Sequence, residues 1–253
     1  MRIDLNADLG EGFGPWVMGD DAAMLDLVTS ANIACGGHAG DPEVMFATLQ
    51  AAAQRGVNVG AHPGYADSMG FGRRVIPMTP PEVGRMVAAQ VGALIGVAGL
   101  AGARVAYVKP HGALANLAAD EPAVAEAIAQ AVRAVSRDLA VLAISGTALQ
   151  AAAGAAGLHV YAEVFADRAY LPTGRLVPRS RPDAMIHDPE AAAARLLAFL
   201  DSGLMPVVGG VPVPLAVDSV CVHGDSPGAV AMARTLRRRL TERGVVVASF
   251  LAG

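Results

Sequence analysis

Lysine is almost missing from this chain: Lys109 stands alone against 18 arginines in 253 residues. A chain so committed to arginine is expected to use it wherever a simple surface cation suffices. A solitary lysine between an apolar run and Pro110 therefore points to a place that needs a compact ammonium. Cysteine is nearly as scarce. Cys35 and Cys221 form no CxxC arrangement, which excludes a disulfide framework and fits a reducing compartment. The opening MRIDLNADLGEG carries acids at positions 4, 8 and 11 and lacks an apolar h-region, so a signal peptide is not read there and a cytoplasmic location is expected. Charge is thin, at 17% of residues with a net −4, which argues against nucleic acid as the main partner. Neither GxxxxGK[ST] nor GxGxxG occurs, so the chain carries no recognisable nucleotide-binding fold of its own.

What is present in quantity is apolar: 53% of the chain, enough for a substantial core and against disorder. Short β-branched runs alternate with longer Ala/Leu-rich stretches. The strand-like runs are 2–9, 30–35, 57–62, 104–109, 139–144, 158–164 and 216–223, with VVVASF (245–250) as a candidate eighth. Helical stretches such as 42–56, 122–135 and 189–203 fill the gaps. Asp41-Pro42, Asp188-Pro189 and Ser226-Pro227 each pair a capping residue with proline at the first helical position. The apolar stretch 86–103 follows TPPE with capping-box spacing from Thr79 to Glu82. It reads as a buried helix rather than a membrane span, its glycines at 92, 96, 99 and 102 suiting close packing on a sheet. Strand–helix alternation over the whole length calls for parallel strands with helical crossovers. Seven or eight such units without a composition break predict a single (β/α) barrel domain over 1–253, with an open doubly wound sheet as the alternative. Residues 203–217 read as a local hairpin turning at Gly209-Gly210.

Four apolar runs end abruptly in histidine beside glycine or proline: NIACGGHAGD, VNVGAHPG, VAYVKPHGAL and DSVCVHGD. In a parallel barrel every strand points the same way, so these endings gather on the C-terminal rim, where barrel active sites sit. The candidates are Asn6, Asp8 and Glu11 after the first strand, His38 and Asp41 after the second, and His62 after the third. Lys109 and His111 follow the fourth, Glu163, Asp167 and Arg168 the sixth, and His223 and Asp225 the seventh. Asp41 and Asp225 have a second reading as helix caps, and His159 and His187 lack the pattern. GFGRR (70–74) could grip a carboxylate or phosphate through its guanidinium forks, Arg73 among them, against a plain reading as a solvated loop.

At these same residues the sequence resembles the LamB/YcsF family, the A subunits of bacterial 5-oxoprolinase. The matching segments are DLNADLGEGFG (4–14), ANIACGGHAGDP (31–42), GAHPGYAD (60–67), GFGRR (70–74), VKPHGAL (108–114), EVFADRAY (163–170) and VCVHGD (220–225). The resemblance implies a distorted TIM-like barrel of the glycoside hydrolase/deacetylase kind. It implies ATP-dependent hydrolytic opening of the 5-oxo-L-proline lactam to L-glutamate, with ATP handled mainly by partner subunits B and C (PxpB and PxpC). Gly37, Gly64 and Ala115 depart from the phenylalanine, serine and tyrosine usual in the family, each trading bulk for space beside a candidate ligand residue.

The chemistry expected at such a rim is general acid–base work on an activated lactam. Asp8, Glu163 or a histidine (His38 and His62 included) would serve as base, and His111 or His223 as acid toward the departing nitrogen. Lys109, Arg168 and Arg73 would hold substrate carboxylate or phosphate, with Asn6, Glu11 and Asp225 beside them. Two rivals stand. One is a metal-dependent amide hydrolase or deacetylase using Asp8, His38 and His62 as ligands to Zn²⁺ or a similar divalent ion; the other is a non-catalytic substrate-binding subunit.

Overall fold

The structure is a computed structural model that describes residues 1–225 and 228–251. The chain runs β1 (Arg2–Leu9), α1 (Asp21–Leu25), β2 (Ser30–Ala34), α2 (Pro42–Gln54), β3 (Asn58–His62), α3 (Pro80–Leu100) and β4 (Val105–Val108). It continues through α4 (Gly112–Asp120), α5 (Pro122–Val135), β5 (Ala140–Ile144), α6 (Ala148–Ala155), β6 (Val160–Phe165) and α7 (Pro189–Ser202). A short pair, β7 (Leu204–Met205) and β8 (Val213–Pro214), precedes β9 (Ser219–Val222), α8 (Ala229–Glu242) and β10 (Val246–Val247).

Strands β1 to β6 pair in parallel with their sequence neighbours, β6 pairs with β9, and β9 returns to β1 in the register Asp4↔Ser219 to Ala7↔Val222. The ring is therefore a closed barrel of seven parallel strands, and the open-sheet alternative falls away. The expected eighth strand shrinks to β10, which pairs with Arg2 and Ile3 below the point where β9 begins. Residues 203–217 contain the antiparallel pair β7–β8, and Gly209 in the intervening turn has φ +67°.

The pattern of β1 explains why the lumen is polar. Ile3, Leu5, Ala7 and Leu9 pack in the main apolar core beneath the helices. The residues between them, Asp4, Asn6 and Asp8, hydrogen-bond to other strands, as period-two alternation requires. Asp4 Oδ1 accepts from Thr29 and Ser30, each at 2.6 Å, and its Oδ2 accepts from Ser219. Asn32 donates to Asn6 at 2.7 Å and to Asp8 at 2.8 Å, and the Tyr107 hydroxyl donates to Asn32 at 2.7 Å. Tyr107, Ala140 and Leu142 form a small apolar cluster with Tyr161 and Phe250.

Asp41 and Asp188 cap α2 and α7 with proline in the first turn of each helix. Asp41 thus has a structural role, accepting from the amides of Glu43, Val44 and Gly14. The Ser226-Pro227 start signal lies outside the described residues. One expectation is overturned on α3. Its buried stripe is Val83, Val87, Gln90, Val91, Leu94 and Ala98, which packs toward β3, β4, α2 and α5. Gly92, Gly96 and Gly99 lie on the opposite, exposed face with nothing near them. The larger side chains set the buried face because they alone carry enough apolar area to reward burial. By length and composition α3 could cross a membrane, and its 3.6-period stripe is used here for packing on the barrel.

Candidate active site

Lys109, at the end of β4, enters the lumen and meets residues from three other strands. Its Nζ lies 2.8 Å from Asp8 Oδ1, 3.2 Å from Asn6 Oδ1 and 3.1 Å from Cys221 Sγ. Glu163 Oε1 is 2.9 Å away, and the ammonium is buried. Three N–H bonds cannot serve four neighbours equally, and Glu163 Oε1 is the one without an aligned donor. Burial opposes the ammonium, but Asp8, Cys221 and Glu163 outweigh it and hold the Lys109 pKa well above its ordinary value. Burial likewise acts against Asp8, yet His62 and Lys109 keep that carboxyl well below the usual range. Glu163 goes the other way: burial raises its pKa and Lys109 only partly offsets this. Two carboxylates on one ammonium thus have unlike basicities, which suits division of labour.

Beside this group stand three imidazoles. His62 Nδ1 is 2.6 Å from Lys109 O, and His111 Nε2 is 2.9 Å from Phe71 O. The other nitrogens of the pair, His62 Nε2 and His111 Nδ1, are 3.0 Å apart. His38 stacks on His111 with ring centroids 3.6 Å apart and planes 2° from parallel, and its Nε2 is 3.0 Å from Glu11 Oε1. Burial, followed by neighbouring histidines, pushes the pKa of His38 and His111 well below the ordinary imidazole value. Burial, then the proximity of Asp8 and Asp225, raises Glu11 well above the usual range. Phe71 has a left-handed backbone (φ +52°) that delivers its carbonyl to His111, and Gly72 follows at φ +59°. A Cβ at Gly72 would lie 2.6 Å from His38 Cβ.

The opposite wall carries a second acid–base pair. Asp167 Oδ2 lies 2.8 Å from His223 Nδ1, and the His223 ring stacks on Phe165. Burial works against the Asp167 carboxylate, but His223 prevails and lowers its pKa. Asp8, His62, Lys109, His111, Glu163 and His223 all line one cavity of about 830 Å³. Four arginines line it too: Arg73, Arg168, Arg175 and Arg179. Arg73 is paired with Asp225 at 2.5 Å. Arg168 donates to the carbonyls of Val177 and Ala184, and burial lowers its pKa to about 10. Arg175 is tied to Asp120, while Arg179 contacts the Met185 sulfur.

Of the residues singled out from sequence, Asn6, Glu11, His38, Asp41, Asp167 and Asp225 do not line the cavity. Asn6 sits within the lumen network under Lys109, Glu11 and His38 lie behind His111, and Asp225 holds Arg73. Sequence reasoning missed Phe71, Arg175, Arg179 and Gln90, which sit in loops or on a helix with no polar strand ending to flag them. The view of Gly37 and Gly64 as opened space is corrected. A Cβ at Gly37 would meet Gln90 Oε1 at 2.5 Å, and one at Gly64 would meet His38 Nδ1 at 2.7 Å. The Gln90 amide fills that room, bonding Gly64 through both its N–H and its carbonyl. Ala115 does face the cavity.

Ligand atoms of Glu11, His38, His62 and His111 all lie within 4.8 Å of one another, a nitrogen-rich donor set suited to a zinc-like divalent ion. The set Asp8, His38 and His62 fits less well, because the Lys109 ammonium already occupies Asp8 and would repel a cation there.

The sequence profile of the LamB/YcsF family matches residues 3–252. The chain is 53% identical over 248 residues to the 5-oxoprolinase A subunit of Azorhizobium caulinodans, covering 98% of each protein. The crystal structure of a lactam utilization protein from Thermus thermophilus superposes with a TM-score of 0.92 at 42% identity, covering 98% of this chain and 100% of that one. The polysaccharide deacetylase Bc1974 of Bacillus cereus (TM-score 0.51, 14% identity, 98% and 92% coverage) shares the fold alone. With the barrel, the rim and the matching profile in agreement over nearly its full length, the chain belongs to the LamB/YcsF family.

Proposed function

We propose that this chain is the A subunit of an ATP-dependent 5-oxoprolinase and carries the hydrolytic opening of 5-oxo-L-proline to L-glutamate. The observation that carries this reading is a buried ammonium held between two carboxylates, in an arginine-walled cavity of a chain related over nearly its full length to 5-oxoprolinase A subunits. A lactam resists hydrolysis because its nitrogen donates into the carbonyl. Transfer of the ATP γ-phosphoryl group to the carbonyl oxygen, assigned to partner subunits B and C, removes that resistance. Water then adds to the ring carbon, and the C–N bond breaks as the nitrogen takes a proton. The resulting acyl phosphate consumes a second water to give L-glutamate and phosphate.

Each residue has a role in this scheme. Glu163, made more basic by burial, accepts the proton of the attacking water. His223, oriented through Nδ1 by Asp167, protonates the departing nitrogen from Nε2. His111 is unsuited to that task because both its ring nitrogens are engaged. Lys109 stabilises negative charge developing on the oxygen. Arg179 and Arg73 hold the phosphate or the substrate carboxylate. The test is reconstitution of the chain with B and C subunits, ATP and 5-oxoproline, scored for glutamate, with each component omitted in turn. Glutamate should form only from the complete mixture, and undiminished glutamate without this chain would refute the assignment.

A further inference from the structure

The contacts of the histidine pair that lines the cavity leave two ring nitrogens facing each other with no proton of their own. Carbonyl oxygens only accept, so the contact with Lys109 O puts the His62 proton on Nδ1 and the contact with Phe71 O puts the His111 proton on Nε2. The two remaining nitrogens are then both bare lone pairs, and they face each other at 3.0 Å. Something positive has to lie between them. A third proton needs only these two partners, yet two carboxylates also converge on the spot: Glu11 Oε1 is 3.5 Å from His111 Nδ1, and Asp8 Oδ2, whose other oxygen is held by Lys109, is 3.4 Å from His62 Nε2. A proton would also leave unexplained why both outer nitrogens are locked by backbone carbonyls, the arrangement that fixes metal-ligating imidazoles.

We propose that His62 Nε2, His111 Nδ1 and Glu11 Oε1 bind one zinc-like divalent cation, and that His38 supports the site without ligating. His38 is set apart by its ring, which lies parallel to His111 at 3.6 Å. Lone pairs lie in the ring plane, so two face-stacked imidazoles cannot both aim at one ion. His38 Nε2 instead reaches Glu11 at 3.0 Å and orients the carboxylate. Gly64 and Gly72 press the backbone against His38 and His111, holding the stack in place. Two imidazoles and a carboxylate leave a position open toward the cavity that His62 and His111 line, the pattern of a catalytic rather than a structural ion. An ion there would polarise a carbonyl or acidify a water. The site stands independently of the 5-oxoprolinase reading, since it can be loaded in the absence of partners or substrate.

The full chain, stripped with chelator and titrated with Zn²⁺ by calorimetry, should take up about one equivalent and gain thermal stability by mass action. Co²⁺ in place of Zn²⁺ should give visible d–d absorption of a low-symmetry, nitrogen-containing site. His111→Ala and Glu11→Gln should each abolish the band, and His38→Gln should keep the stoichiometry with affinity weakened about 10–100-fold. Wild-type chain that neither binds Zn²⁺ nor develops the Co²⁺ band would overturn the site and leave a shared proton between the histidines. Loss of binding in His38→Gln as complete as in His111→Ala would make His38 a ligand and overturn its supporting role.

Discussion

At the scale of single residues, Lys109 shows why arginine could not substitute. Four neighbours surround one nitrogen within 3.2 Å, and a planar guanidinium would not fit a space shaped for a point charge. Lys109→Met should cut glutamate formation in the reconstituted complex by at least about 10²–10³-fold, the typical cost of losing one donor to a developing oxyanion. It should also destabilise the chain by about 3–5 kcal/mol, because Asp8 and Glu163 are left buried without their counter-ion. The two effects separate in Lys109→Met/Glu163→Gln. Urea unfolding should show much of the stability restored, while the glutamate assay should stay silent. Near-normal turnover of either variant would take Lys109 out of the chemistry. The unusual status of this residue was legible from composition, since a lone lysine among arginines asks for a reason. Most of its partners were legible too: Asn6, Asp8 and Glu163 as polar strand endings, Cys221 only once the lumen is seen.

At the scale of elements, β3 and β4 show how one missing side chain shapes a strand pair. Their register shifts between Val59 and Gly60, and a Cβ at Gly60 would lie 2.2 Å from the Tyr107 ring. The ring crosses the lumen to place its hydroxyl on Asn32, so the strand beside it has to be bare. Gly60→Ala should destabilise by about 1–3 kcal/mol through overpacking. Tyr107→Leu should relieve part of that cost in the double variant, and strictly additive effects in a double-mutant cycle would refute the contact as its cause. The existence of both strands was legible as alternating apolar runs. The shift was not, because VNVGAH and RVAYVK carry no sign that a tyrosine on one strand will lie over a glycine on the other. For the same reason the α3 glycines were misplaced: their spacing marks one face of a helix without saying whether that face is inside. Phe71 escaped notice because its contribution is a carbonyl presented by a left-handed backbone, which the side chain does not advertise.

At the scale of the whole molecule, barrel closure turns the alternation in β1 into a polar lumen with Asp4 near its base. The ring of strands and the convergence of the rim were legible because strand–helix alternation admits few topologies. The hydroxyl shell around Asp4 was not, since Ser30 and Ser219 read as ordinary strand residues, and Thr29 drew no reading, until β2 and β9 flank β1. That shell has a measurable consequence. Burial raises the Asp4 pKa above its ordinary 3.8, with the hydrogen bonds from Ser219, Ser30 and Thr29 only partly opposing it. The folded chain therefore holds this proton at pH values where the unfolded chain has released it. Stability contributed by Asp4 is complete below its unfolded pKa and is lost as pH rises through the folded value. Asp4→Asn retains an oxygen to accept from Thr29 and Ser30 but has no charge to desolvate. Relative to wild type, its stability should rise with pH across that window by at most about 1.4 kcal/mol per pH unit and level off above it. Taking the difference cancels the opposite drift from groups such as Asp167, whose lowered pKa costs stability as pH falls. Urea titrations of both proteins at intervals from about pH 4 to pH 7 measure that difference directly. A constant offset at every pH would mean that Asp4 ionises alike in the folded and unfolded chains, and that the lumen does not resist its charge.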